Sequence, residues 1–252
     1  MTSTNIRRRT GAVACACLLL GLAQPAAAQS GADASDPATS AEVEAALLEM
    51  PVYGVIKQYY PETYAKMRAS IEQGIRSGRP ILAMQADVRG HFGQLFAAET
   101  QKADPANLVD MIDLVADQAE SVAAEPAACL AVIGLVPYEK PADEVLPPEL
   151  LQRELDFGAR LLRQTATAPY RPNDPPLGEE AKAGIFIASY DALPSDDSRK
   201  RLVALNGEFA GAKDPADQRV VCEFTIAMFR AILRHPPARA AELFRSLSAD
   251  GG

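Results

Sequence analysis

The chain has 252 residues, 48% of them hydrophobic and 23% charged, with a formal net charge of −8 at pH 7. A chain of this length can bury a full hydrophobic core as one domain. The acidic balance argues against binding to nucleic acid or to an anionic membrane surface, because both attract basic patches. It permits a basic protein or a cationic ligand as a partner.

The first residues have the pattern of a secretory signal peptide. Three arginines, Arg7 to Arg9, precede the apolar run Ala12–Leu22, and Ala26–Ala28 supplies the small residues of a cleavage site. The alternative, a short anchor helix, would need about twenty apolar residues. We therefore expect residues 1–28 to be removed by cleavage near Ala28 and the protein to be periplasmic or secreted, by either the Sec or the twin-arginine route. Removal of the three arginines would take the net charge to −11, and no later apolar stretch is long enough to span a membrane.

The rest of the chain is predicted to be one all-α domain. Residues 29–38 contain no large apolar residue and are expected to form a disordered lead-in. Over residues 39–252, apolar residues recur every three or four positions, which is typical of helices. A proline stands at the start of most of these runs, where its missing N–H costs nothing: Pro51, Pro61, Pro80, Pro105, Pro126, Pro148, Pro215 and Pro237.

Two compact apolar segments, Leu130–Val136 and Gly184–Tyr190, resemble strands as much as helices. Two isolated candidates so far apart make a sheet improbable, and Glu179 and Glu180 favour a helix start before the second. We expect a single-domain bundle of about eight to ten helices.

Two cysteines, Cys129 and Cys222, remain after the predicted cleavage. In an oxidising compartment such a pair is expected to form one disulfide, and without a C-x-x-C motif it should be structural rather than redox-active. The alternative is two buried free thiols that pack as small hydrophobic residues.

One predicted helix carries an acidic stripe, which we define as Asp110, Asp113, Asp117 and Glu120. On a helical wheel these residues lie opposite the apolar set of the same helix, as in an ordinary amphipathic surface helix. No Lys or Arg occurs between Lys102 and Lys140. Neighbouring acids at these spacings repel by about 0.2–0.5 kcal/mol each. The stripe is thus either a solvated face or a binding face for a basic protein; a metal site is the weakest alternative, because Ca²⁺ needs oxygens wrapped around it.

The sequence contains no recognisable catalytic motif. His91 has Asp87 four residues before it, so an Asp–His pair could orient an imidazole as a general base. The same spacing also fits a plain hydrogen bond on a helix surface, and a nucleophile would still be needed. No metal cluster, phosphate loop or haem signature is present, so no cofactor is predicted.

These observations favour a protein-binding module (an inhibitor, adaptor or protective partner) that uses the acidic stripe and is not an enzyme. The alternatives are a hydrolase-type enzyme centred on His91 and a bundle that encloses a small apolar ligand.

Overall fold

The computed structural model of the chain describes residues 41, 44–45, 47–137, 140, 142–171 and 177–249. The predicted signal peptide, residues 1–28, and the predicted lead-in, residues 29–38, lie outside these ranges. Within them the chain forms eleven α-helices and one 3₁₀ turn and no strand, which confirms the all-α fold: α1 (Pro51–Tyr59), α2 (Pro61–Arg76), α3 (Ile81–Thr100), α4 (Pro105–Ser121), α5 (Pro126–Val132), α6 (Ala142–Val145), α7 (Pro148–Thr167), α8 (Glu179–Asp191), α9 (Asp196–Ala204), the 3₁₀ turn Phe209–Gly211, α10 (Pro215–Leu233) and α11 (Pro237–Ala249).

The starts of these helices follow the local signals of the sequence. Seven of the eight prolines are the first residue of a helix, and the eighth, Pro80, directly precedes α3. Asp104 caps α4 by accepting a hydrogen bond from the backbone N–H of Asn107 at 2.8 Å. Asp214 caps α10 in the same manner. Each such cap contributes about 1 kcal/mol to helix stability.

Helix α4 is the centre of the fold. It packs against α5, α7, α10 and α11, while α1 packs on α2 and α7, and α8 and α9 pack on α10. Its apolar residues Leu108, Ile112 and Val115 are buried to at least 99%, and each such side chain contributes about 1.5–3 kcal/mol through burial. The central helix therefore meets solvent only along the face that carries the acidic stripe.

Neither of the two ambiguous apolar segments forms a strand. Leu130–Val132 lies within α5, followed by a turn at Gly134, and Gly184–Tyr190 lies entirely within α8. Among the described helices, none combines the length with the apolar character that crossing a bilayer would require.

A disulfide links Cys129 of α5 to Cys222 of α10. Both cysteines are buried in the core, and the bond closes a loop of 93 positions. The predicted pairing is thus present, and it joins a helix of the first half of the domain to a helix near its end.

Candidate functional site

The acidic stripe of α4 lies beneath arginines from two other helices. Arg230 of α10 forms ion pairs of 2.8 and 2.6 Å with Asp113 and Asp117. It also contacts both carboxylate oxygens of Glu120, through Nε and Nη2, each at 2.8 Å. One guanidinium group therefore bridges three of the four acids of the stripe.

Two arginines of α7 contact the same stripe from its other side. Arg153 donates to Asp117 at 2.5 Å and to Asp113 at 2.7 Å, and Arg160 donates to Asp110 at 2.5 Å. Arg153 meets Asp117, and the later residue Arg160 meets the earlier residue Asp110, so α7 and α4 run antiparallel. Asp113 and Asp117 are consequently each held by two arginines, Arg153 and Arg230.

The fold therefore supplies the bases that the local sequence lacks. The stripe faces away from the core, as the helical wheel indicated, but it is not an open acidic surface. Four carboxylates meet three guanidinium groups, and attraction at hydrogen-bonding distance exceeds the repulsion of about 0.2–0.5 kcal/mol between neighbouring acids. The repulsion that suggested an external basic partner is offset within the chain.

Partial burial and the arginines act in opposite directions on the charged groups. Burial alone would raise the pKa of Asp117, but hydrogen bonds from Arg230 and Arg153 outweigh it and hold that pKa below its usual value. The hydrogen bond to Glu120 is the largest cause that raises the pKa of Arg230, followed among the raising effects by the bond to Asp117. Asp117, Arg153 and Arg230 are therefore charged at neutral pH.

An open groove of about 530 Å³ adjoins the stripe. Most of its lining residues are charged or polar, and they come mainly from one face of α7, with Asp110 contributed by α4; the lining residues are Asp110, Glu149, Gln152, Arg153, Asp156, Phe157 and Arg160. Arg153 and Arg160 are engaged by the stripe. Within the described part of the chain, Glu149 and Asp156 are exposed and have no cationic partner. The carboxylates without a cationic partner at this site thus lie in the groove, whereas each acid of the stripe contacts an arginine.

A buried polar contact lies directly beneath the ion pairs. Gln118 Nε2 donates to Glu154 Oε2 at 2.7 Å, and both side chains are at least 99% buried. Gln118 and Glu154 directly follow Asp117 and Arg153 in sequence, so the buried hydrogen bond and the exposed ion pair are neighbouring contacts of one α4–α7 interface. Glu154 was not among the site residues predicted from the sequence. A signal for it exists, because Glu154 occupies a core position of α7, four residues after Leu150 and three before Phe157.

The predicted Asp87–His91 pair does not form. Asp87 is bound by Arg79 at 2.6 Å, and among the described residues the hydrogen-bond partner of the His91 ring is Ser70 Oγ, 3.1 Å from Nε2. Ser70 lies in the middle of α2, where the backbone N–H groups bond within the helix. A hydroxyl and an imidazole are therefore in contact at a helix–helix junction, and the described residues supply neither a carboxylate that binds the ring nor free N–H groups that could stabilise an oxyanion there.

No group of three or more His, Cys, Asp or Glu side chains that could hold a metal ion occurs in the described ranges. Comparisons with known proteins give no further guidance: no family model, no curated protein and no solved structure matches the chain.

Proposed function

We propose that this chain is an exported protein-binding module and that its binding face is the acidic edge formed by α4 and α7. The export rests on the signal-peptide pattern of residues 1–28. The partner is a basic protein that places a lysine or arginine side chain in the groove between these helices. The observation that carries the proposal is the pair of exposed groove carboxylates, Glu149 and Asp156, which lack a cationic partner among the described residues, beside a stripe in which each acid already contacts an arginine.

The arginines of α7 and α10 make this face suitable for binding. Because Arg153 and Arg230 are each held by more than one carboxylate, their side chains lose little additional freedom when a partner binds, which lowers the entropic cost of association. Arg160 lies over the ring of Phe157, 5.4 Å from its centroid, and fixes the floor of the groove. The uncompensated carboxylates then provide the charge complementarity that steers a basic partner and rejects acidic ones.

The test neutralises the groove without disturbing the stripe. The variant Glu149→Gln/Asp156→Asn is compared with Asp191→Asn/Glu208→Gln, which removes the same charge at exposed positions outside the groove. Each tagged protein is incubated with an extract of the compartment that receives the exported protein, and bound proteins are quantified by mass spectrometry at low and at high salt. We expect a basic protein to be captured by the wild type and by the control variant, and to be lost from the groove variant and at high salt.

Equal capture by the groove variant and the wild type would remove the groove from the proposal. Substitution of Asp113 or Asp117 is not an equivalent test, because these residues hold Arg153 and Arg230, and their loss would disturb the α4–α7–α10 contact itself.

One observation favours a second candidate, a hydrolase-type enzyme centred on His91. Ser70 Oγ and His91 Nε2 are 3.1 Å apart, within the range in which an imidazole can accept a hydroxyl proton. Ester hydrolysis measured on a panel of short-chain nitrophenyl esters should then disappear in both Ser70→Ala and His91→Ala. It should persist in Ser77→Ala, whose hydroxyl only bonds carbonyl groups of its own helix. Equal rates in all four proteins would exclude this candidate.

A further inference from the structure

Glu154 is a fully buried ionisable group in the contact between α4 and α7. Its Oε2 accepts one hydrogen bond, from Gln118 Nε2 at 2.7 Å, and its Oε1 is buried without a hydrogen-bond partner among the described residues. Arg153, the preceding residue, points outward and binds Asp113 and Asp117. The carboxyl group of Glu154 is therefore not paired with Arg153, and it lies inside the apolar part of the interface.

This environment favours the neutral acid. An ionised carboxylate needs several donors or a paired cation to compensate for the loss of water, and here a single amide N–H is in place. A neutral carboxylic acid needs much less, because it carries no net charge and its own hydroxyl can donate. Burial accordingly raises the pKa of Glu154 well above its usual value, and the bond from Gln118 lowers it only in part.

We propose that Glu154 is a pH-sensitive latch: as the neutral acid it holds α7 against α4, and its ionisation loosens that contact. Opening of the interface would bring water to the carboxylate. The Gln118–Glu154 contact and the Asp117–Arg153 ion pair join neighbouring residues of the same two helices. A displacement of α7 at Glu154 therefore also moves Arg153 and the arginine cluster at the surface.

The charged and titratable groups on the surrounding helices do not compensate the ionised form. α7 packs against α1, α3, α4 and α6. On these helices, the stripe acids of α4 are engaged by arginines, Tyr53 of α1 is buried with a hydroxyl that has no partner among the described residues, and the acids of α6 are exposed. His91 and Glu99 of α3 are engaged by Ser70 and Lys102, and Asp87 by Arg79. The raised pKa of Glu154 comes from burial, and no charged or titratable group of these four helices contributes to it. These groups are Tyr53, Lys57, Tyr59, Asp87, Arg89, His91, Glu99, Asp110, Asp113, Asp117, Glu120, Asp143 and Glu144.

The sign of the pH effect follows from the raised pKa. Above the ordinary glutamic acid pKa of about 4.3, the unfolded chain releases a proton that the folded chain retains. Stability contributed by the neutral acid is therefore complete below that pH, declines as pH rises toward the folded-state pKa, and is absent above it. Over that window the unfolding equilibrium constant rises by up to about tenfold per pH unit relative to a protein without this group.

The experiment compares the wild type with Glu154→Gln, which keeps the shape and an acceptor for Gln118 but cannot ionise. Urea unfolding is measured from about pH 5 to about pH 8. We expect the wild-type unfolding constant to rise with pH relative to that of Glu154→Gln, and the amides of α4 and α7 in the wild type to lose hydrogen-exchange protection over the same range. Asp156→Asn, an exposed acid on the same helix, is the control and should follow the wild-type curve.

Parallel stability curves for the wild type and Glu154→Gln would overturn the proposal. If Glu154→Gln does not fold, the titration of the wild-type Glu154 carboxyl carbon by NMR decides instead. Titration near the ordinary value of about 4.3 rejects the latch, and titration well above it, accompanied by the loss of α4 and α7 protection, supports it.

Discussion

Helix α10 is linked to helices α4 and α5 at two places, by two different kinds of interaction. At Cys222 it is joined to α5 by a covalent bond inside the core. Two turns later, at Arg230, it is joined to α4 by ion pairs at the surface, where 30% of the arginine side chain remains accessible to solvent. The two contacts use neighbouring partner helices, since α4 also packs against α5.

The comparison shows which physical effect each contact depends on. The disulfide restricts the unfolded chain and is indifferent to salt, whereas the arginine contact is a charge interaction that salt and solvent weaken. Partly exposed ion pairs contribute little singly. The arginine contact gains importance because Arg230 is bound by three carboxylates at once, two of which Arg153 shares.

The largest expected effect on stability comes from removing the disulfide. In Cys129→Ala/Cys222→Ala, the closed loop of 93 positions is opened. The free energy of unfolding should fall by up to about 4–5 kcal/mol in the chain-entropy model. Urea unfolding measured with and without a thiol reductant tests this. Reduction should destabilise the wild type and leave the variant unchanged, and the loss should be the same at low and high salt.

A disulfide variant as stable as the wild type under oxidising conditions would show that the core around α5 and α10 holds without the bond. The Arg230 ion pairs would then be the more important of the two links to α10.

The next largest effect on stability comes from removing the Arg230 ion pairs. Arg230→Gln removes one cation from three carboxylates, and we expect the free energy of unfolding to fall by about 1–2 kcal/mol at low salt, from three partly exposed pairs. High salt should reduce the difference between variant and wild type, because it screens charges near the surface. Unfolding curves at two ionic strengths measure it.

Arg163→Gln is the matched control for this substitution. Arg163 is an exposed arginine of α7 that has no ion pair among the described residues, so its replacement changes the net charge equally without touching the stripe. Equal losses in the two variants would mean that the Arg230 contact stabilises nothing beyond the general charge balance.

The difference between these two links also explains what the sequence could and could not predict. Helix starts depend on residues next to each other, so Asp214 before Pro215 is sufficient to place the start of α10. With two cysteines left after the predicted cleavage, their pairing is unambiguous. Arg230, in contrast, is 110 to 117 positions away from the acids that it binds, and no rule about neighbouring residues connects them.

The buried half of the site was missed for a related reason. Glu154 occupies an apolar position of α7, yet only the packing of α4 against α7 shows that its partner is Gln118 and that no cation of the described residues lies beside it. The charges of an amphipathic helix are readable from its own sequence, but the identity of the groups that meet them depends on the tertiary arrangement.

The smallest expected effect concerns how the arginines share the stripe. Arg153 and Arg230 bind the same two carboxylates, Asp113 and Asp117, and they repel each other. When one is removed, the other faces less compensated acids and contributes more. The double variant Arg153→Gln/Arg230→Gln should therefore lose more stability than the two single variants together, by about 0.5–1 kcal/mol.

Arg160 supplies the control for this coupling, since it binds Asp110 and shares no acid with Arg230. A cycle of Arg160→Gln and Arg230→Gln should be additive within about 0.5 kcal/mol. If both cycles are additive, the stripe is a row of independent ion pairs and the shared carboxylates do not couple α7 to α10. If only the cycle with Arg153 departs from additivity, the cluster acts as one unit that joins three helices, and a disturbance of α7 at Glu154 would be felt at α10 through the same carboxylates.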